Sequence, residues 1–176
     1  MSTILLFACK PGVKKDEAHF TANDKSTTTY YIIRHADKDT SASAGSDPEL
    51  TEKGEARAKF WAEHFKNVDF DTVYSTDFNR TRSTAKPTAD KNGLEITYYN
   101  PSSLYSEKFL DETAGKNVLI VGHSNTITYL TNQLIGKERY KEIDESVYGN
   151  LYVVTIKNGH ARAELKNLNN WDKKKQ

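Results

Sequence analysis

The chain has one cysteine, Cys9, among its 176 residues. That excludes an intrachain disulfide and any cysteine cluster able to hold zinc. Charge of one sign is missing too: 25 basic and 24 acidic residues leave a formal net charge of +1. No strong field therefore points to nucleic acid or to an anionic membrane surface. No apolar run approaches the roughly 18 residues of a membrane span. The ten tyrosines are scattered through strand-like runs, which favours packing over base stacking. The five histidines, His19, His35, His64, His123 and His160, include no pair at helical ligand spacing, so no metal is expected. Internal repeats are absent.

Both ends read as additions to one domain, with boundaries at 1–28, 29–168 and 169–176. Ile4-Leu5-Leu6-Phe7-Ala8-Cys9 resembles the end of a bacterial lipoprotein signal, although the apolar run is short and no basic segment precedes it. The expectation leans to an exported lipoprotein facing the periplasm, tethered to a membrane through a lipid on Cys9. The alternative is a plain frayed terminus on a cytoplasmic protein. Lys10 to Thr28 is polar and reads as a disordered tether, and 169–176 as a polar tail.

Between the ends, apolar runs of strand length alternate with segments of helical period. Tyr30 to Ile33 is the first strand and stops abruptly on Arg34-His35. After a Ser-, Ala- and Gly-rich loop, Thr51 caps a helix whose Ala58, Trp61, Ala62, Phe65 and Val68 form one apolar face. His64 in this helix is structural. Phe70 to Ser75 is a strand, and Asn79 to Lys91 a helix in which Pro87 predicts a kink or a break. A strand from Leu94 to Tyr99 and a helix from Ser103 to Thr113 precede the wholly apolar Val118 to Val121, typical of a central parallel strand. A helix from about Thr126 to Ile135 follows. Lys157-Asn158-Gly159 joins two closing strands as a hairpin. The pattern predicts a three-layer α/β/α sandwich with a mainly parallel central sheet.

Two strands end on histidines, His35 and His123, and Arg80 lies just past the end of a third. In open α/β sheets, ligands bind beyond the carboxyl ends of the strands. Arg34, Arg80, His35 and His123 can thus converge into a pocket for a dianionic tetrahedral group. The helix after Ser124 and Asn125 adds backbone N–H groups and a positive dipole end. Phosphate is the natural tenant.

Four segments resemble the histidine phosphatase superfamily, the phosphoglycerate mutase-like fold, in the right order. Arg34-His35-Ala36 is similar to its Arg-His-Gly nucleophile motif, with alanine for glycine. Asp47 to Ala58 resembles its leucine-threonine, glycine, arginine-alanine segment. Tyr74 to Ala85 resembles the segment carrying the second arginine, here Arg80, and Val121 to Asn125 the second-histidine motif. The resemblance implies a cap-poor phosphatase without cofactor or metal, acting on a small phosphorylated substrate or a phosphoprotein. His35 would be the nucleophile, oriented through Nδ1 by a backbone carbonyl. Arg34, Arg80 and His123, with Ser124 and Asn125, would hold the phosphate. Ser124 directly after His123 departs from the acid-phosphatase branch, which has an aspartate there. The mutase-like branch instead points to Glu107 as general acid, with Asp37 and Glu145 as lesser candidates. Mutase activity fits poorly, because the segment from Tyr99 to Val118 is short for a substrate cap.

Two rivals remain on sequence. Gly122-His123-Ser124-Asn125-Thr126 nearly reads as a serine nucleophile elbow, with Asp144 and His160 following in triad order. The other is a phosphate-binding module without catalysis.

Overall fold

The structure, a computed structural model, describes residues 27–173. The expected lipoprotein signal, Cys9 and nearly all of the tether lie outside the described residues, as do residues 174–176 of the expected tail.

One six-stranded sheet runs through the described chain in the order β3-β2-β4-β1-β5-β6. Its strands are β1 (Thr27–Arg34), β2 (Thr72–Ser75), β3 (Ile96–Tyr98), β4 (Asn117–Gly122), β5 (Asn150–Lys157) and β6 (His160–Asn167). The first four are mutually parallel, and β5 and β6 close the sheet as an antiparallel hairpin. Asn158 and Gly159 both take positive φ (52° and 73°), as the mirror-image turn of a two-residue hairpin loop demands. The helices are α1 (Glu52–His64), α2 (Asn79–Asn92), α3 (Glu107–Thr113) and α4 (Ser124–Leu134).

Side-chain alternation along the central strands builds two cores. Tyr30 and Ile32 of β1, with Val118 and Ile120 of β4, face Phe109 of α3 and Ile127, Leu130 and Leu134 of α4. Ile33, Leu119 and Val121 face the other way, against Trp61 of α1, Phe65 just beyond it, and Ala85 and Ala89 of α2. Both faces of β4 are covered, which is why its sequence is uniformly apolar rather than alternating. The expected three layers are therefore present.

The connections decide where the site lies. From β1 the chain leaves through α1 on one face, while from β4 it leaves through α4 on the opposite face. Adjacent strands with diverging exits create a crevice at their carboxyl ends, the topological switch point of the sheet. Arg34 pairs with Gly122 across this point, so His35 and His123 emerge side by side.

Two details depart from expectation. Pro87 lies inside α2, yet the helix continues without interruption from Asn79 to Asn92. Proline removes one intrahelical bond, but the buried Thr84, Ala85, Thr88 and Ala89 hold the helix against the sheet on both sides of it. The helix expected from Ser103 starts later, because the Ser106 side chain accepts from Phe109 N at 3.2 Å and caps α3. At the other end of the described chain, Trp171 packs on Phe60 of α1 with ring centroids 5.3 Å apart.

Gly54 in the first turn of α1 is a point of close approach: a Cβ there would lie 2.1 Å from the carbonyl oxygen of Asp37. That carbonyl also accepts from Thr51 N at 2.9 Å, so it cannot withdraw without releasing the cap residue of α1. Gly54→Ala should destabilise the fold by about 1–3 kcal/mol, the range of overpacking. Urea unfolding of the two proteins, compared at equal slope, measures it.

Candidate active site

His35 is almost fully buried, at 2% exposure, and its backbone N donates to Gly122 O at 2.9 Å, extending the β1–β4 ladder by one bond. Its Nδ1 lies 2.8 Å from the carbonyl oxygen of Ala36. A carbonyl can only accept, so this contact places the proton on Nδ1 and leaves a lone pair on Nε2. The orientation implied by the family resemblance is thus present in the geometry. Thr84 of α2 fixes the loop beyond: its Oγ1 accepts from Ala36 N at 2.8 Å and donates to Arg80 O at 2.7 Å. One hydroxyl therefore ties the histidine turn to the helix carrying the second arginine.

The His123 ring stands edge-on to that of His35, centroids 5.5 Å apart. Its Nε2 is 2.9 Å from Oγ1 of Thr76, the residue just past the end of β2. Three neighbouring strand ends thus contribute His35, His123 and Thr76.

Arg34 is buried at 1% exposure beneath the loop between α4 and β5. Its Nη1 donates to the carbonyls of Asp144, Glu145 and Val147 at 3.1–3.2 Å, and Nη2 donates to Glu145 Oε2 at 2.7 Å. Arg80 donates from Nη1 to Asp47 Oδ1 at 3.3 Å. An aromatic ring covers each guanidinium: Tyr148 lies 4.4 Å from Arg34 and Phe78 4.5 Å from Arg80. The same rings also flank the histidines, Tyr148 against His35 and Phe78 against His123. Among the described residues, Arg34 Nε and Arg80 Nε are buried without an acceptor, as are Arg57 Nη1, Trp61 Nε1 and Trp171 Nε1 away from this cluster. Unsatisfied buried N–H donors are costly, and here the two belong to guanidiniums beside two imidazoles, a combination that suits an anion.

Burial first, and this positive field second, govern the imidazoles. Burial, followed by the charges of Arg34 and Arg80 and the neighbouring His123, pushes the His35 pKa down to about 3 against the pull of the Ala36 carbonyl. Burial, then Arg80, Arg34 and Lys38, brings His123 down to about 4, with Glu145 opposing. Both rings are neutral at physiological pH.

Of the residues expected at the site, Arg34, His35, Arg80 and His123 come together. Ser124 adjoins them, its Oγ donating to Glu145 Oε1 at 2.9 Å. Asn125 is exposed on the first turn of α4. Glu107 opens α3 and is exposed, with no hydrogen bond or ion pair to these groups among the described residues. Asp37 is committed elsewhere, to buried Arg57 at 2.6 Å. The serine-hydrolase alternative fails on geometry: Asp144 Oδ1 accepts from Ser146. His160 pairs with Lys157, which lies opposite Thr27 at the start of β1, so it sits at the other edge of the sheet, about 25 Å from His35. Sequence reasoning passed over Thr76, Thr84, Phe78 and Tyr148, and treated Glu145 only as a spare acid. Thr76 follows a strand end as both histidines do, and that position was its one available signal.

The depressed pKa values have a thermodynamic sign. Unfolded histidine binds its proton near pH 6.5, whereas folded His35 and His123 do so only near 3 and 4. Below pH 6.5 the unfolded state binds more protons, so their contribution is complete above 6.5 and is lost as pH falls towards those lower values. Long-range ¹H–¹⁵N correlation of the rings should show His35 protonated at Nδ1, bare at Nε2 and unchanged from pH 8 to 5. A ring titrating near 6.5 would contradict this environment.

Comparison with known proteins agrees with the geometry. Residues 30–100 match the histidine phosphatase superfamily (branch 1). No curated protein matches the chain. Among solved structures, the protein histidine phosphatase SixA complexed with tungstate superposes with a TM-score of 0.62 at 19% identity, over 79% of this chain and 96% of that one. Phosphoglycerate mutase from Bacillus anthracis gives a TM-score of 0.62 at 17% identity, over 80% and 93%. Mycobacterial glucosyl-3-phosphoglycerate phosphatase in complex with VO3 gives 0.60 at 14% identity, over 79% and 97%. Residues 30–100 thus carry the sequence pattern of the histidine phosphatase superfamily, and the described chain carries its fold.

Proposed function

We propose that this protein is a metal-independent phosphatase that hydrolyses a phosphomonoester, small or protein-borne, through a phosphohistidine on His35. The observation that carries the reading is the 2.8 Å contact of His35 Nδ1 with the Ala36 carbonyl, which leaves Nε2 unprotonated among unsatisfied guanidinium donors. In the first step the Nε2 lone pair forms a bond to phosphorus as the bond to the leaving oxygen breaks, and that oxygen takes up a proton. In the second, water attacks phosphorus, the P–N bond breaks and phosphate departs. Arg34, Arg80 and His123 hold the equatorial oxygens, with Ser124 and Asn125 at the start of α4. Catalysis is then mostly positioning and electrostatic stabilisation of the transferring group.

We assign the leaving-group proton to Glu107. Tyr98 pairs with Ser75 at the end of β2, so the segment running on to α3 leaves the same sheet edge as the histidines. The Arg34-His35-Ala36 motif serves as the nucleophile turn, and the tether through lipidated Cys9 belongs to the same reading. SixA, by its name, is a protein histidine phosphatase, which supports protein-borne phosphate as one substrate class.

Hydrolysis of an aryl phosphate in EDTA should proceed in the wild type and vanish in His35→Ala. Activity persisting in that variant removes His35 as nucleophile. Arg80→Ala should lower kcat by about 10²–10³, the usual loss on removing a transition-state donor. Glu107→Gln should slow alkyl phosphates far more than nitrophenyl phosphate, whose leaving group needs no proton. Equal loss on both would take the acid role from Glu107.

A further inference from the structure

Glu145 lies in the loop between α4 and β5, and both of its carboxylate oxygens are engaged at the site. Oε2 accepts from Arg34 Nη2 at 2.7 Å, and Oε1 accepts from Ser124 Oγ at 2.9 Å. Lys38 Nζ stands 4.0 Å from Oε2. The side chain is nevertheless 67% exposed, so it reaches into the cluster from solvent rather than from the core. Burial raises its pKa, but the Ser124 hydroxyl, Arg34 and Lys38 together outweigh that and hold the carboxyl below the usual carboxylate range.

Asp47 on the other arginine makes an instructive contrast. Its carboxylate accepts from Asn79 N at 3.0 and 3.2 Å as well as from Arg80, so it anchors the start of α2 through the backbone. Glu145 has no such anchor. Among the described residues its carboxylate hydrogen-bonds to an arginine and a hydroxyl that a phosphoryl group would itself use, with Lys38 as a further ion pair.

We propose that Glu145 is an internal competitor for the phosphate seat: in the resting protein its carboxylate takes the Arg34 and Ser124 donors, and a phosphoryl dianion displaces it on binding. The proposal rests on the phosphatase reading, since the seat is the one that reading defines. A carboxylate brings one charge and two oxygens. A tetrahedral dianion brings two charges and more oxygens, enough to engage the Arg34 and Arg80 guanidiniums together. The dianion therefore prevails, but its apparent affinity is reduced by the charge-assisted bonds it must break. Displacement needs no refolding of the loop. Arg34 Nη1 stays on the carbonyls of residues 144, 145 and 147, while the exposed side chain swings away.

Tungstate, a tetrahedral dianion, serves as the probe. Calorimetric titration of the wild type, Glu145→Gln and Glu145→Ala at one ionic strength gives its Kd, with aryl phosphate kinetics run alongside. Both variants should bind tungstate roughly tenfold more tightly and show a lower KM, the gain expected when one charge-assisted pair no longer has to be broken. Unchanged or weaker binding in both variants, with the wild type still binding tungstate and hydrolysing substrate, overturns the role of Glu145 and leaves the phosphatase reading standing. Absence of tungstate binding and of hydrolysis in all three proteins overturns both.

Discussion

Parallel pairing of β1 with β4 is the constraint on which the site depends. The register Arg34 with Gly122, continued by the bond from His35 N to Gly122 O, sets two imidazoles beside each other although they lie 88 positions apart in the chain (123 − 35). Registers slip by whole residues, and a slip of one would turn each histidine to the opposite face. What prevents it is the two-sided burial of both strands. Tyr30 and Ile32 must meet one core while Ile33 meets the other, and Val118 to Val121 obey the same alternation. Gly122 ends that alternation where space is short: a Cβ there would come within 2.7 Å of Tyr99 Oη and 2.9 Å of Ile127 Cγ2. Core packing thus sets the geometry of the chemistry.

A second constraint is electrostatic. Arg34 is buried and Arg80 largely so, and charge in such places is expensive unless paired and hydrogen-bonded. Arg34 receives three main-chain carbonyls and one carboxylate, which accounts for the conformation of the irregular loop around residues 144–147. Arg80 receives Asp47, and an aromatic ring lies over each guanidinium. The compensation is incomplete, since among the described residues both Nε–H groups lack acceptors. Burial and the remaining positive field together keep the imidazoles neutral, and the field favours an incoming anion. The same unbalanced field thus acts both on the imidazoles and on any incoming anion.

The sequence made the framework legible where periodicity is strong. Strand-length apolar runs, the Thr51 cap and the Asn158-Gly159 turn each encode a local geometry that the fold retains. Arg34, His35, Arg80 and His123 were legible because strand ends in a parallel sheet share an edge, whatever their separation along the chain. Thr76, Thr84, Phe78 and Tyr148 were not, because their roles depend on side-chain directions that no spacing rule supplies. Pro87 misled for a related reason: a local rule predicts a break, while tertiary packing of the flanking turns overrides it. Glu145 was visible as an acid, but its attachment to Arg34 depends on a loop of irregular conformation.

That attachment changes how the site's openness is understood. Among the described residues, the segment between β3 and β4 is short and contributes only α3, so it builds no large cap over the site. A cationic site that no cap encloses would admit whatever anion is abundant. A carboxylate supplied by the protein itself raises the threshold: weak monoanions must compete with a group tethered at high effective concentration. A ligand with two charges and tetrahedral geometry passes that threshold, because it engages both guanidiniums together. Selectivity that a cap would provide by enclosure can thus arise from one exposed glutamate held at the mouth of the site.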